Sequence, residues 1–402
     1  MEVVRERMNT DEWICLYHIS DEKISYNLLK GFIECTKGYG IKFKNKESNW
    51  IPIKSLKITD WINIVQEELN IRKTCKFVIF ILNSQTNKLY TDLKRHSLCI
   101  KGYVSQVIKR ESIMRAINSI VGPKTFFSKI LLQVNCKLGG FNYFLNFDGF
   151  IEQRSIMLIG VDSSHIWGTT KNQRTAVGMI ATKDKKFSKF YHKLEFLRED
   201  SQYTSETRRN IYYFIEEAFT KYYKENGDFP KNIIIYRQGI SFNQLKHIKL
   251  EVKLIEETCN KLKLNYYYVL INTNTNIRFF EVTYNKKYYY KKINQQLYNN
   301  PEQGTIIFNT ITNKNKFEFY IYPHEVNMGT TIPTYFHVAF GNMDFPELLI
   351  NLSYWTTYLY PNWQNSIKVP HVIKLAEKLA YMGAKYTRSE LNKSLSDSLS
   401  FL

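Results

Sequence analysis

Two groups of side chains in this 402-residue chain have the types and spacing that chemistry needs. The first is Tyr90, Lys94, Gln106 and Lys137. Tyr90 and Lys94 are four apart, so on a helical turn they share one face. With Gln106 in KGYVSQVI and Lys137 in QVNCKLGG they offer an aromatic ring, two ammonium groups and an amide. That inventory suits a terminal nucleotide: the ring stacks the base, the lysines take phosphate charge and the amide bonds a phosphate oxygen. Taken singly these residues are ordinary, since a tyrosine beside an apolar strand usually packs in a core and a lysine is usually solvated. The second group centres on Asp162, delivered at the end of the apolar run SIMLIGVD. Carboxylates at strand ends can gather divalent cations around a scissile phosphate. A loop acid capping the next element has the same appearance.

The elements that must position these residues alternate between strand-like and helix-like. FVIFIL (77–82) reads as a buried strand, and Thr91 to Ser97 follows a polar turn at NSQTNK. SQVIKRESIMRAINSI reads as part helix, and FFSKILLQVNCKLGG as a helix ending at Gly139–Gly140. In the second half SIMLIGVD is a strand, Ser205 to Asn226 a helix, and KNIIIYRQG a strand that ends on polar residues. Alternating strands and helices predict α/β layers in both halves, with a domain boundary near residue 150 and domains over 1–150 and 151–402. The serine-rich C-terminus keeps an apolar beat through Leu391, Leu395, Leu399 and Leu402, which predicts a packed tail.

Composition narrows the function classes. Lys and Arg total 56 against 37 Asp and Glu, a formal charge of +19. Divided at residue 150 the excess is 23 − 14 = +9 and 33 − 23 = +10, so it belongs to both halves and not to a basic tail. A positive field over a whole fold suits a polyanion binder, which gains affinity by releasing counterions; a basic solvated surface would give the same sum. No apolar run approaches a membrane span, and the first residues lack the apolar core of a signal peptide. Six scattered cysteines without a CxxC read as reduced thiols of a cytoplasmic protein. The eight histidines show no metal-ligand spacing, and GxSxG, Walker A and GxGxxG elements are missing, which argues against zinc enzymes, esterases, P-loop NTPases and dinucleotide-binding enzymes. KKYYYKK (286–292) would put Lys287, Tyr289 and Lys291 on one strand face. It reads equally as a ribbon that tracks a backbone and stacks bases, or as an edge strand guarded by lysines.

The order Y-x-x-x-K, then Gln106, then Asn135–Cys136–Lys137–Leu138–Gly139–Gly140 resembles the MID domain of Argonautes. IGVDSSH and KNIIIYRQGIS resemble the first and second catalytic strands of their PIWI domain, and Gly329–Thr330–Thr331–Ile332–Pro333–Thr334–Tyr335–Phe336–His337–Val338 resembles a later element along the guide backbone. The resemblance covers about residues 75 to 385; nothing resembles a PAZ domain or the large N-terminal lobe of long Argonautes. It implies a Rossmann-like MID domain followed by an RNase H-like PIWI domain. It also implies that Tyr90, Lys94, Gln106 and Lys137 hold the 5′ phosphate of a guide strand. Gln106 and the Leu402 carboxylate would share a Mg²⁺ ion there, and Asn135, Arg278, Thr330, Lys287 and Lys291 would follow the nucleic-acid backbone.

The catalytic set departs from the family. Asp162 matches the first ligand, and Glu206 corresponds loosely to the mobile glutamate. Gln238 replaces the second aspartate, and Leu375, five residues past Pro370, occupies the last ligand position. A neutral amide and an alkyl group leave two cations under-neutralised. The expectation is therefore a short prokaryotic Argonaute that does not cut. It would bind a guide RNA or DNA, recognise a complementary DNA target and act as the sensor of an abortive-infection defence system. A companion with an N-lobe-like (APAZ) domain would supply an NADase, nuclease or membrane-active effector. The alternative is an active guide-directed endonuclease using Asp162, Glu206 and a substitute ligand such as His371.

Overall fold

A computed structural model describes residues 13–39, 49–75, 77–119, 123–142, 144–145, 154–165, 174–198, 205–238, 245–284, 296–309, 311–312, 316–326 and 328–402. The first sheet is built from β1 (Trp13–His18), β2 (Trp50–Ile53), β3 (Phe77–Leu82) and β4 (Val104–Lys109), with α1 (Glu22–Tyr39), α2 (Ile58–Ile71), α3 (Tyr90–Arg95), α4 (Arg110–Ile117) and α5 (Pro123–Lys137) between and after its strands. All four strands are parallel, in the order β2-β1-β3-β4. FVIFIL is buried at all six positions, as a central parallel strand covered on both faces must be. Alternate residues of β1 and β3 divide between two cores. Trp13, Cys15, Phe77 and Ile79 meet Leu28 of α1 and Leu131 of α5, while Ile14, Leu16, Val78 and Phe80 meet Trp61 of α2 and Leu93 of α3. This is a doubly wound α/β layer, and its register sets Ser105 and Gln106 of β4 beside Val78 and Ile79.

The second sheet has eight strands in the order β12-β13-β14-β9-β8-β5-β6-β7. They are β5 (Ile156–His165), β6 (Arg174–Thr182), β7 (Phe190–Arg198), β8 (Asn232–Arg237), β9 (Asn265–Asn272), β12 (Ile306–Phe308), β13 (Phe317–Ile321) and β14 (Thr334–Gly341). β10 (Glu281–Tyr284) and β11 (Gln296–Asn299) form a separate antiparallel pair. β5, β8 and β9 run parallel at the centre, with antiparallel strands on either side. One face is covered by α6 (Ser205–Asn226) and α7 (Leu245–Leu262), whose Ile211, Phe214, Val252 and Ile255 pack on Met157, Ile159, Ile233 and Ile235. The other face is covered by α8 (Pro346–Trp355) and α9 (His371–Met382), through Leu349, Val372, Leu375 and Leu379. That second core continues without a break into the α1–α5 side of the first sheet.

Two glycines let α9 lie directly on the sheet. A Cβ on Gly160 would stand 2.4 Å from the Val372 carbonyl oxygen, and one on Gly178 would stand 2.4 Å from that of Ala376. Because Gly178 is the pairing partner of Asp162, this contact fixes which residues of α9 approach the acid. The expected end of the first strand is corrected. β5 does not stop at Asp162 but runs to His165, held by its antiparallel partner β6. The parallel partner β8 does stop, with its last pair at Val161 and Arg237, so Asp162 lies where one side of the strand loses its neighbour. The tail is packed as its leucine spacing predicts: Leu395, Leu399 and Phe401 are buried. It also returns to the helical segment that follows α3, where the Asn392 backbone N–H donates to the Leu98 carbonyl at 2.8 Å.

Candidate nucleic-acid interface and acidic centre

The structure brings Lys94, Lys137 and Gln106 to one point. Lys94 stands in the last turn of α3, Lys137 ends α5, and the edge strand β4 supplies Ser105 and Gln106. Lys94 Nζ donates to the carbonyl oxygen and the hydroxyl of Ser105, both at 3.2 Å. Lys137 Nζ donates to the same carbonyl at 3.1 Å and to Gln106 Oε1 at 2.8 Å. Both lysines are buried, at 2% and 1% exposure. Among the described residues no carboxylate acts on either. Burial alone brings Lys94 down to about 8. Burial and then the neighbouring Lys94 charge hold Lys137 well below the ordinary ammonium range. Two ammonium groups converging in a dry site without an anion are costly to charge, and an entering phosphate would repay that cost by keeping both protonated.

Tyr90, one turn before Lys94, meets the second half of the chain. Its ring is edge-on to Tyr386 at 4.9 Å between centroids, and burial pushes its phenol up to about 12. Lys385 Nζ lies 5.4 Å from the centre of the Tyr386 ring. Sequence reasoning missed Ser105, the acceptor shared by both lysines, and Tyr386. No residue-type signal marks a backbone carbonyl, and Tyr386 is remote in sequence.

The expected metal at this pocket does not fit the residues. Gln106 Oε1 already accepts from Lys137, and two buried ammonium groups repel a third cation. Leu402 packs at the edge of the core, and its amide donates to the Leu399 carbonyl at 3.1 Å. Asn135 is corrected from a backbone-binding residue to a turn-forming one. It is buried, and its amide donates to the Phe141 carbonyl at 3.3 Å and to Asn142 Oδ1 at 3.1 Å. A Cβ on Gly140 would stand 2.4 Å from Asn135 Oδ1, so the Gly139–Gly140 turn needs its glycine for this closure. Arg278 donates to the carbonyls of Thr275 and Ile277 at 2.6 and 2.8 Å, holding its own loop. Thr330 is exposed. Lys287 and Lys291, with the rest of KKYYYKK, lie outside the described residues.

At the acidic centre Gln238 follows the end of β8, its backbone N–H donating to the Val161 carbonyl, next to Asp162, at 3.0 Å. Asp162 is 5% exposed and accepts from the Ser163 amide at 2.8 Å. Burial raises its carboxyl to about 6; Ser163, Arg237 and Lys374 oppose that rise, and Glu377 adds to it. Glu377 is therefore within electrostatic reach of Asp162, and the expectation for Leu375 is overturned. Leu375 is fully buried in the core, whereas Lys374 and Glu377 form the half-exposed stripe of α9 and pair at 2.7 Å. His371 is also corrected: it is buried beneath the sheet, its Nε2 3.1 Å from the Phe187 carbonyl, and burial drives it down to about 4. It supplies no ligand to this centre. Glu206 stands in the first turn of α6, with its side chain outside the described residues.

No cluster of three or more His, Cys, Asp or Glu is placed to hold a metal among the described residues. Gln238 Oε1 is buried without a hydrogen-bond partner among the described residues. The buried Arg237, which donates to the Gln238 carbonyl at 3.3 Å, and Lys374 already place positive charge beside Asp162.

Comparison with known proteins follows the same lines. The profile described as "Piwi domain" matches residues 77–388. The Piwi-like protein Ago3 of Bombyx mori is 25% identical over 99% of this chain and 41% of its own length. The chain thus spans about two fifths of the curated relatives it matches. In fold it is similar to the crystal structure of Drosophila Piwi, with TM-score 0.82, 20% identity and coverage of 98% of this chain and 51% of that one. It is also similar to Kluyveromyces polysporus Argonaute with a guide RNA, with TM-score 0.78, 17% identity and coverage of 98% and 48%. Among the described residues no helix is long and apolar enough to cross a membrane.

Proposed function

We propose that this chain, which belongs to the Piwi domain family, anchors the phosphorylated 5′ end of a guide strand and displays it for pairing with a target without cutting that target. The observation that carries this reading is the buried pair Lys94 and Lys137 converging on the Ser105 carbonyl with no acid between them among the described residues. A terminal phosphate matches that site in charge and in its demand for several donors. The guide RNA in the similar Kluyveromyces polysporus Argonaute supports a nucleic-acid guide here. The finer reading rests on the resemblance of the sequence to short prokaryotic Argonautes. It comprises a complementary DNA target, a role as sensor in prokaryotic defence, and a companion protein bearing an APAZ-like domain and an effector.

The absence of cutting follows from Gln238. The position that follows Arg237 on the neighbouring strand carries a neutral amide where a second anion would be needed, and Arg237 and Lys374 offset part of the Asp162 charge. One observation favours the second reading, an active endonuclease: Glu377 acts on Asp162, returning a carboxylate that the sequence reading had lost. A cleavage assay on the loaded protein with Mg²⁺ or Mn²⁺ separates the two. The proposal expects intact target. A cut at a fixed distance from the guide end, abolished by Asp162→Ala, would establish the second reading in its place.

A further inference from the structure

A cavity of about 430 Å³ lies between one flank of α5 and the loop that precedes α9. Lys124, Ser128 and Lys129 line one wall; Asn362, Trp363 and Gln364 line the other. Among the described residues lining it there is no carboxylate. Lys129 Nζ lies 5.4 Å from the centre of the Trp363 ring, and Trp363 is 46% exposed. Asn362 Oδ1 is buried, and the Asn362 side chain is engaged with Tyr360.

These features describe one kind of guest. A flat π-face suits the indole of Trp363, and an attached phosphate suits two ammonium groups without a competing acid. We infer that the cavity is a nucleobase-binding site, distinct from the Lys94–Lys137 anchor, in which Trp363 stacks the base and Lys124 and Lys129 hold its phosphate. Its distance from the anchor suggests where a strand would reach it. From Ser128 to Lys137 along α5 is about 13 Å at ~1.5 Å per residue, or roughly four base steps of ~3.4 Å. A base about four steps from an anchored 5′ end falls at the cavity. The assignment to the anchored strand rests on the function proposed above; the assignment of a base-binding cavity does not.

The test has two arms. In the first, AMP is titrated into the full chain by calorimetry, using the wild type, the Lys94→Ala/Lys137→Ala double variant, and that double variant with Trp363→Ala or Trp363→Phe added. Because AMP is itself a 5′-phosphorylated nucleotide that the anchor would take, the inference expects one binding event in the double variant, which adding Trp363→Ala removes and adding Trp363→Phe keeps, and a second event in the wild type. In the second, 5′-phosphorylated strands carry an abasic gap either about four steps from the phosphate or near the far end. The near gap should weaken binding roughly tenfold, the scale of one lost base–aromatic stack, and Trp363→Ala should erase the difference between the two strands. A position effect assigns the site to the anchored strand. AMP binding without a position effect assigns it to a free nucleotide. If neither arm depends on Trp363 while thermal melting shows Trp363→Ala folded, the inference is overturned. Normal binding of the strand by the double variant would instead refute the anchor and leave the AMP result standing.

Discussion

The pocket at the edge of the first sheet and the acidic centre on the second are both buried polar sites, yet they resolve their charge in opposite ways. Among the described residues Lys94 and Lys137 stand together with neutral acceptors only, so the pocket is one-signed, as the proposed phosphate site requires. Around Asp162 the signs alternate, with Arg237, Lys374 and Glu377 compensating one another inside the protein. A site that withholds its counterion is built to bind one, whereas a site that supplies it internally has less demand for metal. The difference teaches that a retained acid at a strand end has to be read together with the charges packed around it.

Four changes break or sharpen this contrast. The largest effect is expected from Gln238→Asp, which restores an anion beside Asp162. It should raise divalent-metal-dependent target cleavage at least a hundredfold above the wild-type background, by analogy with the loss from removing one transition-state contact. The combined change Gln238→Asp with Glu377→Ala should show much less. If Gln238→Asp stays silent, the proposal that Gln238 prevents cutting is contradicted. Second, Leu375→Ala should cost about 2–5 kcal/mol in urea unfolding, as removal of a buried leucine does. A loss below about 1 kcal/mol would show that Leu375 is not the core residue described.

Third, the affinity for a 5′-phosphorylated strand should fall about tenfold between about pH 7 and about pH 9, given Lys94 near 8 when free and fully charged when bound. The sign follows from the lowered value: the empty pocket loses its proton as pH rises past 8, and binding must then take one up. Lys94→Arg, which stays protonated, should flatten the slope. A flat profile for the wild type would mean that Lys94 keeps its charge when the pocket is empty. The smallest effect is expected from Glu377→Gln, below about 1 kcal/mol in stability, because its pairing with Lys374 is half-exposed.

Much of the fold is written in local pattern. The uninterrupted apolar run of β3 and the span of α6 both appear in the sequence as they do in the structure. Tyr90, Lys94, Gln106 and Lys137 are grouped in the sequence only by the resemblance to MID domains; Lys94, Gln106 and Lys137 converge, whereas Tyr90 packs on Tyr386. What the sequence hid is what depends on non-local packing. The Ser105 carbonyl becomes the focus of the pocket only when α3 and α5 converge on β4, and Tyr386 reaches Tyr90 only because the packed tail and α9 fold back. Counting from Pro370 led to Leu375, although helical periodicity held the correction. Val372, Ile373, Leu375, Ala376, Leu379 and Ala380 form the apolar stripe, leaving Lys374 and Glu377 on the open side. Which open-side residue faces Asp162 depends on the contacts at Gly160 and Gly178, and no local pattern reveals them.

The most direct test compares the affinities of two strands that differ only in a 5′ phosphate or a 5′ hydroxyl, measured with the wild type and with the Lys94→Ala/Lys137→Ala variant at one fixed salt concentration. With charge-assisted bonds worth about 1.5–3 kcal/mol each, the wild type should favour the phosphorylated strand by a hundredfold or more, and the variant should bind both nearly alike. A wild type indifferent to the phosphate, or a variant that keeps the preference, would contradict the claim that this pair of buried lysines holds the end of a guide.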